Sequence, residues 1–182
     1  MVNPTQPRRT LLGHMPSKWL RPRRREVVWR ALLVLLYGTV LVLMTRELAT
    51  LDERIVYGPQ VVGEVLDAMG EHGRNEYRLV AAIDLGFLAV YGWLLVTWLR
   101  FLKVRDGLPK RLPAIVALVP SLFDAIETSS VLVLLRRYPE LDPTLATVAA
   151  IATPLKWGSF AVLAVTLAVG EVNRWHRRHD PR

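Results

Sequence analysis

Two acidic side chains stand near the centre of a long apolar run. Asp124 and Glu127 lie within LPAIVALVPSLFDAIETSSVLVLLRR, residues 112–137, a run long enough to span a bilayer as a helix. A carboxylate at that depth costs roughly 2.5 to 3.5 kcal/mol on insertion scales, so a chain that retains two of them has a use for them. Their spacing puts both on one helix face. We predict that Asp124 and Glu127 are catalytic, as proton donor and charge stabiliser.

A lysine lies at matching depth in the next apolar run. Lys156 is in the middle of residues 145–169. With a helical rise of about 1.5 Å per residue, Asp124 and Lys156 each lie about 16 Å from the outer ends of their spans. The turn between the spans is short, so they are expected to be antiparallel neighbours. Lys156 is predicted to tune the charge of the acids or to pair with them, and an ion pair that only fixes helix register is the competing interpretation.

Six further side chains are predicted to line a pocket beside these three. Asp84 is a third acid at membrane depth, so one base faces three acids, and at least one carboxyl group is expected to be protonated, solvated or bound to a ligand. A neutral carboxylic acid in an apolar site suits general-acid chemistry and suits a proton-coupled carrier equally well. For the aromatic residues of the set, ordinary helix packing is the alternative. The predicted lining is Asp84, Tyr37, Tyr91, Thr128, Ser121 and Trp157.

The arrangement of apolar residues along the chain predicts the fold class. Of 182 residues, 52% are hydrophobic, and they occur in four long blocks rather than in periodic stripes. We predict an all-α, polytopic membrane protein with a four-helix transmembrane bundle over residues 27–175. The predicted spans are 27–45, 79–102, 112–135 and 145–169; an outer amphipathic segment covers 60–72, and flexible basic tails cover 1–26 and 176–182.

The basic residues predict the orientation of the bundle. The N-terminal tail, the link between the second and third spans and the C-terminal tail are rich in Lys and Arg, whereas the two remaining loops are poor in them or acidic. By the positive-inside rule, both termini are expected to face the cytoplasm of a multi-pass protein of the cell membrane. Four tryptophans on that side fit an interfacial belt: Trp19, Trp29, Trp98 and Trp175.

Composition argues against several classes of partner and cofactor. The net charge of +8 is explained by membrane topology, so nucleic acid is not an expected partner. The chain has no cysteine, and its four histidines lie outside the spans without metal-ligand spacing, so neither a metal nor another cofactor is predicted. The expected partners are membrane lipids and a hydrophobic small molecule, and a homo-oligomer is also compatible with the sequence.

Three functions remain in competition. The first is binding or acid-catalysed modification of a hydrophobic lipid or isoprenoid-like substrate, with the outer segment as a lid. The second is a proton- or cation-coupled small transporter that works as an oligomer, and the third is a structural or accessory subunit. In plan, four helices with acidic groups between them, the chain resembles the emopamil-binding-protein superfamily, whose acidic groups act on or bind sterol-like lipids. The resemblance is one of architecture, and no residue role is carried over from it. The residues leave open whether the protein is an enzyme.

Overall fold

The described part of the chain is built from helices. The computed structural model describes residues 22–48, 50–51, 54–102 and 112–179, and within these ranges it contains five helices and no strand. They are α1 (Arg24–Thr45), α2 (Pro59–Ala68), α3 (Gly70–Phe101), α4 (Leu112–Arg137) and α5 (Pro143–His179). The predicted all-helical class is therefore confirmed. Most of the predicted N-terminal tail, the basic link after α3 and the last three residues lie outside the described residues.

Four of these helices, α1, α3, α4 and α5, are long and apolar enough to cross a membrane. Their outward faces carry large apolar side chains that would be costly to expose to water, and Leu35, Leu36 and Val42 on α1 are each more than 60% exposed. Hydrocarbon is the medium that suits such a surface, because a helix already satisfies its own backbone hydrogen bonds. The side of the membrane on which each terminus lies stays a prediction.

The helices pack in a row that follows the order of the chain. α1 lies against α3, α3 against α4, and α4 against α5, so α4 is flanked on both sides. The turn between α4 and α5 is short, and Asp142 Oδ1 accepts the backbone N–H of Thr144 at 2.8 Å, which caps the beginning of α5. That backbone hydrogen bond holds the pKa of Asp142 below its ordinary value. The helix α4 therefore lies between α3 and α5.

The helix α2 packs across the end of the bundle at which α4 ends and α5 begins. Its apolar side chains Val62 and Leu66 are fully buried and belong to one core cluster with residues of α3, α4 and α5. The Tyr138 hydroxyl, just after α4, contacts Asp67 Oδ1 at 2.5 Å. The amphipathic character predicted for residues 60–72 therefore reflects packing onto the bundle. The helix ends before residue 72 because Gly70 adopts a φ of +63°, where the chain turns into α3.

The long helices extend beyond the apolar segments that the sequence marks. α3 begins nine residues before the predicted span, and α5 continues ten residues past Val169 to His179. The added turns are polar, with Glu71, Arg74 and Asn75 on α3. Hydropathy detects only the part of a helix that lies within the hydrocarbon core of the membrane. The backbone hydrogen bonds of the helix continue into the polar layer wherever no proline or glycine ends them.

The contact of α1 with α3 can be tested at Gly86. Tyr37 on α1 donates its hydroxyl to the carbonyl of Ile83 at 2.9 Å, and a Cβ at Gly86 would lie 2.8 Å from the Tyr37 oxygen. We expect G86A to lower the thermal unfolding midpoint in detergent, because overpacking costs about 1 to 3 kcal/mol and alanine gains only about 1 kcal/mol over glycine in a helix.

Gly158 on α5 provides the matched control, since nothing lies within 4 Å of its added Cβ. G158A should leave the midpoint unchanged or raise it. Replacing Tyr37 by Phe in the G86A background removes the clashing oxygen and should recover most of the loss. If G86A and G158A are equally stable, α1 does not pack on α3 in this way.

Candidate functional site

Three of the predicted site residues meet in the middle of the bundle. Asp124 and Glu127 lie one turn apart on α4, and Lys156 of α5 reaches both. Its Nζ lies 3.1 Å from Asp124 Oδ1 and 2.6 Å from Glu127 Oε2. The side chains of Asp124, Glu127 and Lys156, hereafter the charged triad, are 12%, 0% and 6% exposed. The predicted ion pair is present, and it involves both acids.

Small residues on α5 allow the two helices to approach. Ala152 and Ala149, one and two turns before Lys156, are 3% and 0% exposed. They occupy the helix face that carries the lysine, and small side chains at such positions bring helix backbones close together in membranes. Lys156 can therefore place its ammonium group between the two carboxylates of α4.

Hydroxyl groups bind the outer oxygens of the triad. Tyr91 on α3 donates its hydroxyl to Asp124 Oδ2 at 2.8 Å, which adds α3 to the site. Thr153 on α5 donates to Glu127 Oε1 at 2.5 Å, and its oxygen lies 3.3 Å from the hydroxyl of Tyr57. Contacts between polar atoms thus form a continuous series from Tyr57, in the connection before α2, through the triad to Tyr91. Three helices and the segment before α2 contribute to this chain of contacts.

Two of these hydroxyl residues were absent from the sequence prediction. Thr153 precedes Lys156 by three residues and so shares its helix face, a signal that was available. Tyr57 lies in the connection between α1 and α2, where no periodicity indicates a partner. Its position near Thr153 is decided by how the connection folds over the bundle.

The three remaining polar candidates lie at the contact between α3 and α4, beside the triad. Thr128 of α4 donates its hydroxyl to Asp84 Oδ2 of α3 at 3.1 Å. Ser121 lies against α3 at Gly92, where an added Cβ would be 3.0 Å from the serine Oγ. Both contacts join α3 to α4. Asp84 is thus partnered through Thr128, one position along α4 from Glu127.

The aromatic candidates form part of a row that crosses the bundle. Ring centroids follow one another at 5.3, 5.3, 5.6 and 6.2 Å through α1, α3 and α5. Tyr91 stands in the middle, so the residue that binds Asp124 is also part of the row. Trp157 is at the far end and is 45% exposed on the outside of α5, rather than inside a pocket. The row consists of Tyr37, Phe87, Tyr91, Phe160 and Trp157.

The charged triad is a closed contact. One cleft of about 340 Å³ lies between the beginning of α1 and the ends of α3 and α5, and another of about 500 Å³ lies beside α2. Neither is lined by Asp124, Glu127 or Lys156. Within the part of the chain that the structure describes, no three His, Cys, Asp or Glu side chains are grouped so that they could hold a metal ion.

Comparison with known proteins adds no relationship to these observations. No family model matches the chain, and searches of curated proteins and of solved structures found no significant match. The resemblance in plan to the emopamil-binding-protein superfamily has no support from any of the three.

The charge balance of the triad predicts an asymmetric mutation series. Either single variant, D124N or E127Q, leaves one carboxylate matched to Lys156. The double variant leaves the lysine with no carboxylate in the triad, and leaving half of a buried pair costs about 3 to 5 kcal/mol. We expect both single variants to keep most of their stability in unfolding titrations with denaturing detergent, and the double variant to lose far more than the sum.

Adding K156M to the double variant should restore stability, because a buried ion pair replaced by groups of similar volume is often neutral. A double variant whose loss equals the sum of the two single losses would show that the three groups are not coupled.

Proposed function

We propose that this chain is a membrane protein in which the charged triad keeps one carboxyl group protonated within the bilayer. Asp124 serves as the proton donor toward a hydrophobic, lipid or isoprenoid-like ligand that lies along the aromatic row. The observation that carries this proposal is the contact of one lysine with two buried carboxyl groups, at 3.1 and 2.6 Å.

Electrostatics supports a proton in the triad. Two ionised acids and one ammonium would leave a net negative charge in a low-dielectric site, and an uncompensated buried charge neutralises itself by taking up a proton. Asp84, joined to Thr128 nearby, adds a further acid and no base. One proton on Asp124 or Glu127 leaves a neutral triad in which Lys156 still has an ionised partner.

The distances favour Asp124 as the protonated group. Glu127 has the shorter contact with Lys156, so in this proposal these two form the ionised pair. Asp124 has the longer contact with the lysine, and a proton on its second oxygen would be donated to the Tyr91 oxygen, which reverses the hydrogen bond of the ionised form. Since Tyr91 belongs to the aromatic row, a proton on Asp124 is the one adjacent to apolar and aromatic surface. Lys156 and Glu127 then supply a fixed dipole beside it.

Infrared spectroscopy tests the proton directly. A protonated carboxyl group has a carbonyl band that an ionised carboxylate lacks. We expect the spectrum of the full chain in lipid at neutral pH to contain such a band, and D124N to remove a component of it. D84N is the matched control, because it changes a half-buried acid outside the triad and should leave that component in place. A spectrum that D124N leaves unchanged would overturn the assignment of the proton.

A photoreactive farnesyl lipid tests the ligand. We expect the farnesyl lipid to crosslink to the aromatic row in the wild-type chain. D124N should weaken these crosslinks, and D84N should preserve them. Crosslinks that are the same in all three proteins would contradict a role for Asp124 in binding. Proton flux into proteoliposomes that D124N abolishes, without farnesyl crosslinking, would indicate a proton-coupled carrier instead.

Closure of the triad favours a structural role as the second candidate. With Glu127 and Thr153 fully buried, the polar groups are held by one another and by helix packing. Such a centre can serve an accessory subunit by fixing the register of α3, α4 and α5. A triple variant, D124N with E127Q and K156M, that folds and keeps every activity of the wild type in the native membrane would support this candidate against the first.

A further inference from the structure

We propose that the cleft between the beginning of α1 and the ends of α3 and α5, here called the interfacial cleft, binds one anionic phospholipid. Its volume is about 340 Å³, and it lies where three membrane-spanning helices reach the polar layer. The headgroup phosphate occupies the polar end of the cleft, and an acyl chain lies along α1. This site is separate from the charged triad and does not rest on the function proposed for it.

The polar lining of the cleft favours an anion. Among the described residues, Arg24 from α1 and Arg174 from α5 line the cleft together with one carboxylate, Glu171. Glu171 Oε1 already accepts the indole N–H of Trp98 at 2.9 Å, so this acid is tied to the wall of the cleft. Two guanidinium groups outnumber one carboxylate, and guanidinium groups bind phosphate through pairs of parallel hydrogen bonds.

Aromatic side chains hold the basic groups at the level of the headgroups. The guanidinium carbon of Arg174 lies 3.7 Å from the ring centroid of Phe101, which orients its charged plane. Trp175 is 57% exposed and its ring packs 4.6 Å from that of His179. Tryptophan is enriched at the boundary between hydrocarbon and headgroups. The cleft therefore has the composition of a headgroup site at that depth.

The apolar lining distinguishes a lipid from a water-soluble anion. Below Arg24, the wall is formed by Val27, Val28 and Ala31. Val28 is 48% exposed, and Leu35, one turn beyond Ala31, is 65% exposed on the outer face of α1. An apolar strip thus leads from the cleft to the lipid-facing surface. A free phosphate would use only the arginines, whereas a phospholipid would use the arginines and this strip.

Native mass spectrometry of the full chain in detergent tests the site. Phosphatidylglycerol is compared with phosphatidylcholine of the same acyl chains, and glycerol phosphate serves as a headgroup without chains. The charge variant is R24Q with R174Q. Its matched control is R25Q with R100Q, which removes two arginines exposed at the same end of the bundle that do not line the cleft. A31F narrows the apolar strip without changing any charge.

The wild type should bind one phosphatidylglycerol at least about tenfold more tightly than phosphatidylcholine, as expected for a basic pocket between membrane helices. The R24Q and R174Q variant should abolish that preference, and the R25Q and R100Q control should keep it. A31F should weaken the binding of phosphatidylglycerol while leaving the net charge unchanged. Thermal unfolding of each variant identifies any that fail to fold, and A31F then carries the test alone.

Three results would overturn the proposal. If the charge variant and its control lose the preference for phosphatidylglycerol equally, the lipid binds a diffuse basic surface rather than a site. Equal binding of the two lipids by the wild type would show that charge is not recognised. Displacement of phosphatidylglycerol by equimolar glycerol phosphate would show that the acyl chain makes no contribution and that the cleft takes a soluble phosphate.

Discussion

The cost of placing ionisable groups in hydrocarbon constrains how α3, α4 and α5 pack against one another. Lys156, Asp124 and Glu127 can be buried together only if α4 and α5 face each other at one register, because an ammonium group separated from both acids would carry the full desolvation penalty. The short turn after α4 and the alanines of α5 make that register reachable. Tyr91 then binds the outer oxygen of Asp124 and fixes α3 against the same face of α4. The faces that α3, α4 and α5 turn toward one another thus follow from charge compensation.

The helix α1 is positioned by different interactions. Only Val27 and Leu41 are buried along its length, and it contacts α3 rather than the centre of the bundle. Arg30 lies 3.8 Å from the Trp93 ring and hydrogen bonds to Thr97, so its charge is satisfied by α3. The broad apolar surface left on α1 is suited to acyl chains. It also provides the apolar strip of the interfacial cleft, so weak burial of α1 has a use that is independent of the triad.

The two ends of the bundle differ in charge and in the chemistry they offer. The end with the interfacial cleft is rich in arginine and tryptophan. The opposite cleft beside α2 is lined by three glutamates, with Arg54 and His72, and the His72 ring is already 3.1 Å from Glu76. Between these ends, Thr153 contacts Glu127 of the triad and also Tyr57, which belongs to the same core cluster as the buried side chains of α2. Neither of the two clefts is lined by the triad, whereas the aromatic row leads from Tyr91 to Trp157 on the outer surface of α5.

Sequence alone determined the class of the fold and the central charges. Apolar blocks of membrane length identify four helices without tertiary information, since hydrocarbon thickness sets their length, and helical rise placed Lys156 level with Asp124. Tertiary structure decided that Lys156 contacts both acids, that Tyr57 and Thr153 join the cluster, and that Trp157 faces outward. Helical periodicity gives the angle of a side chain about its own axis. The partner that it meets depends on crossing angles and on the path of the connection before α2, which are set by packing across the whole bundle.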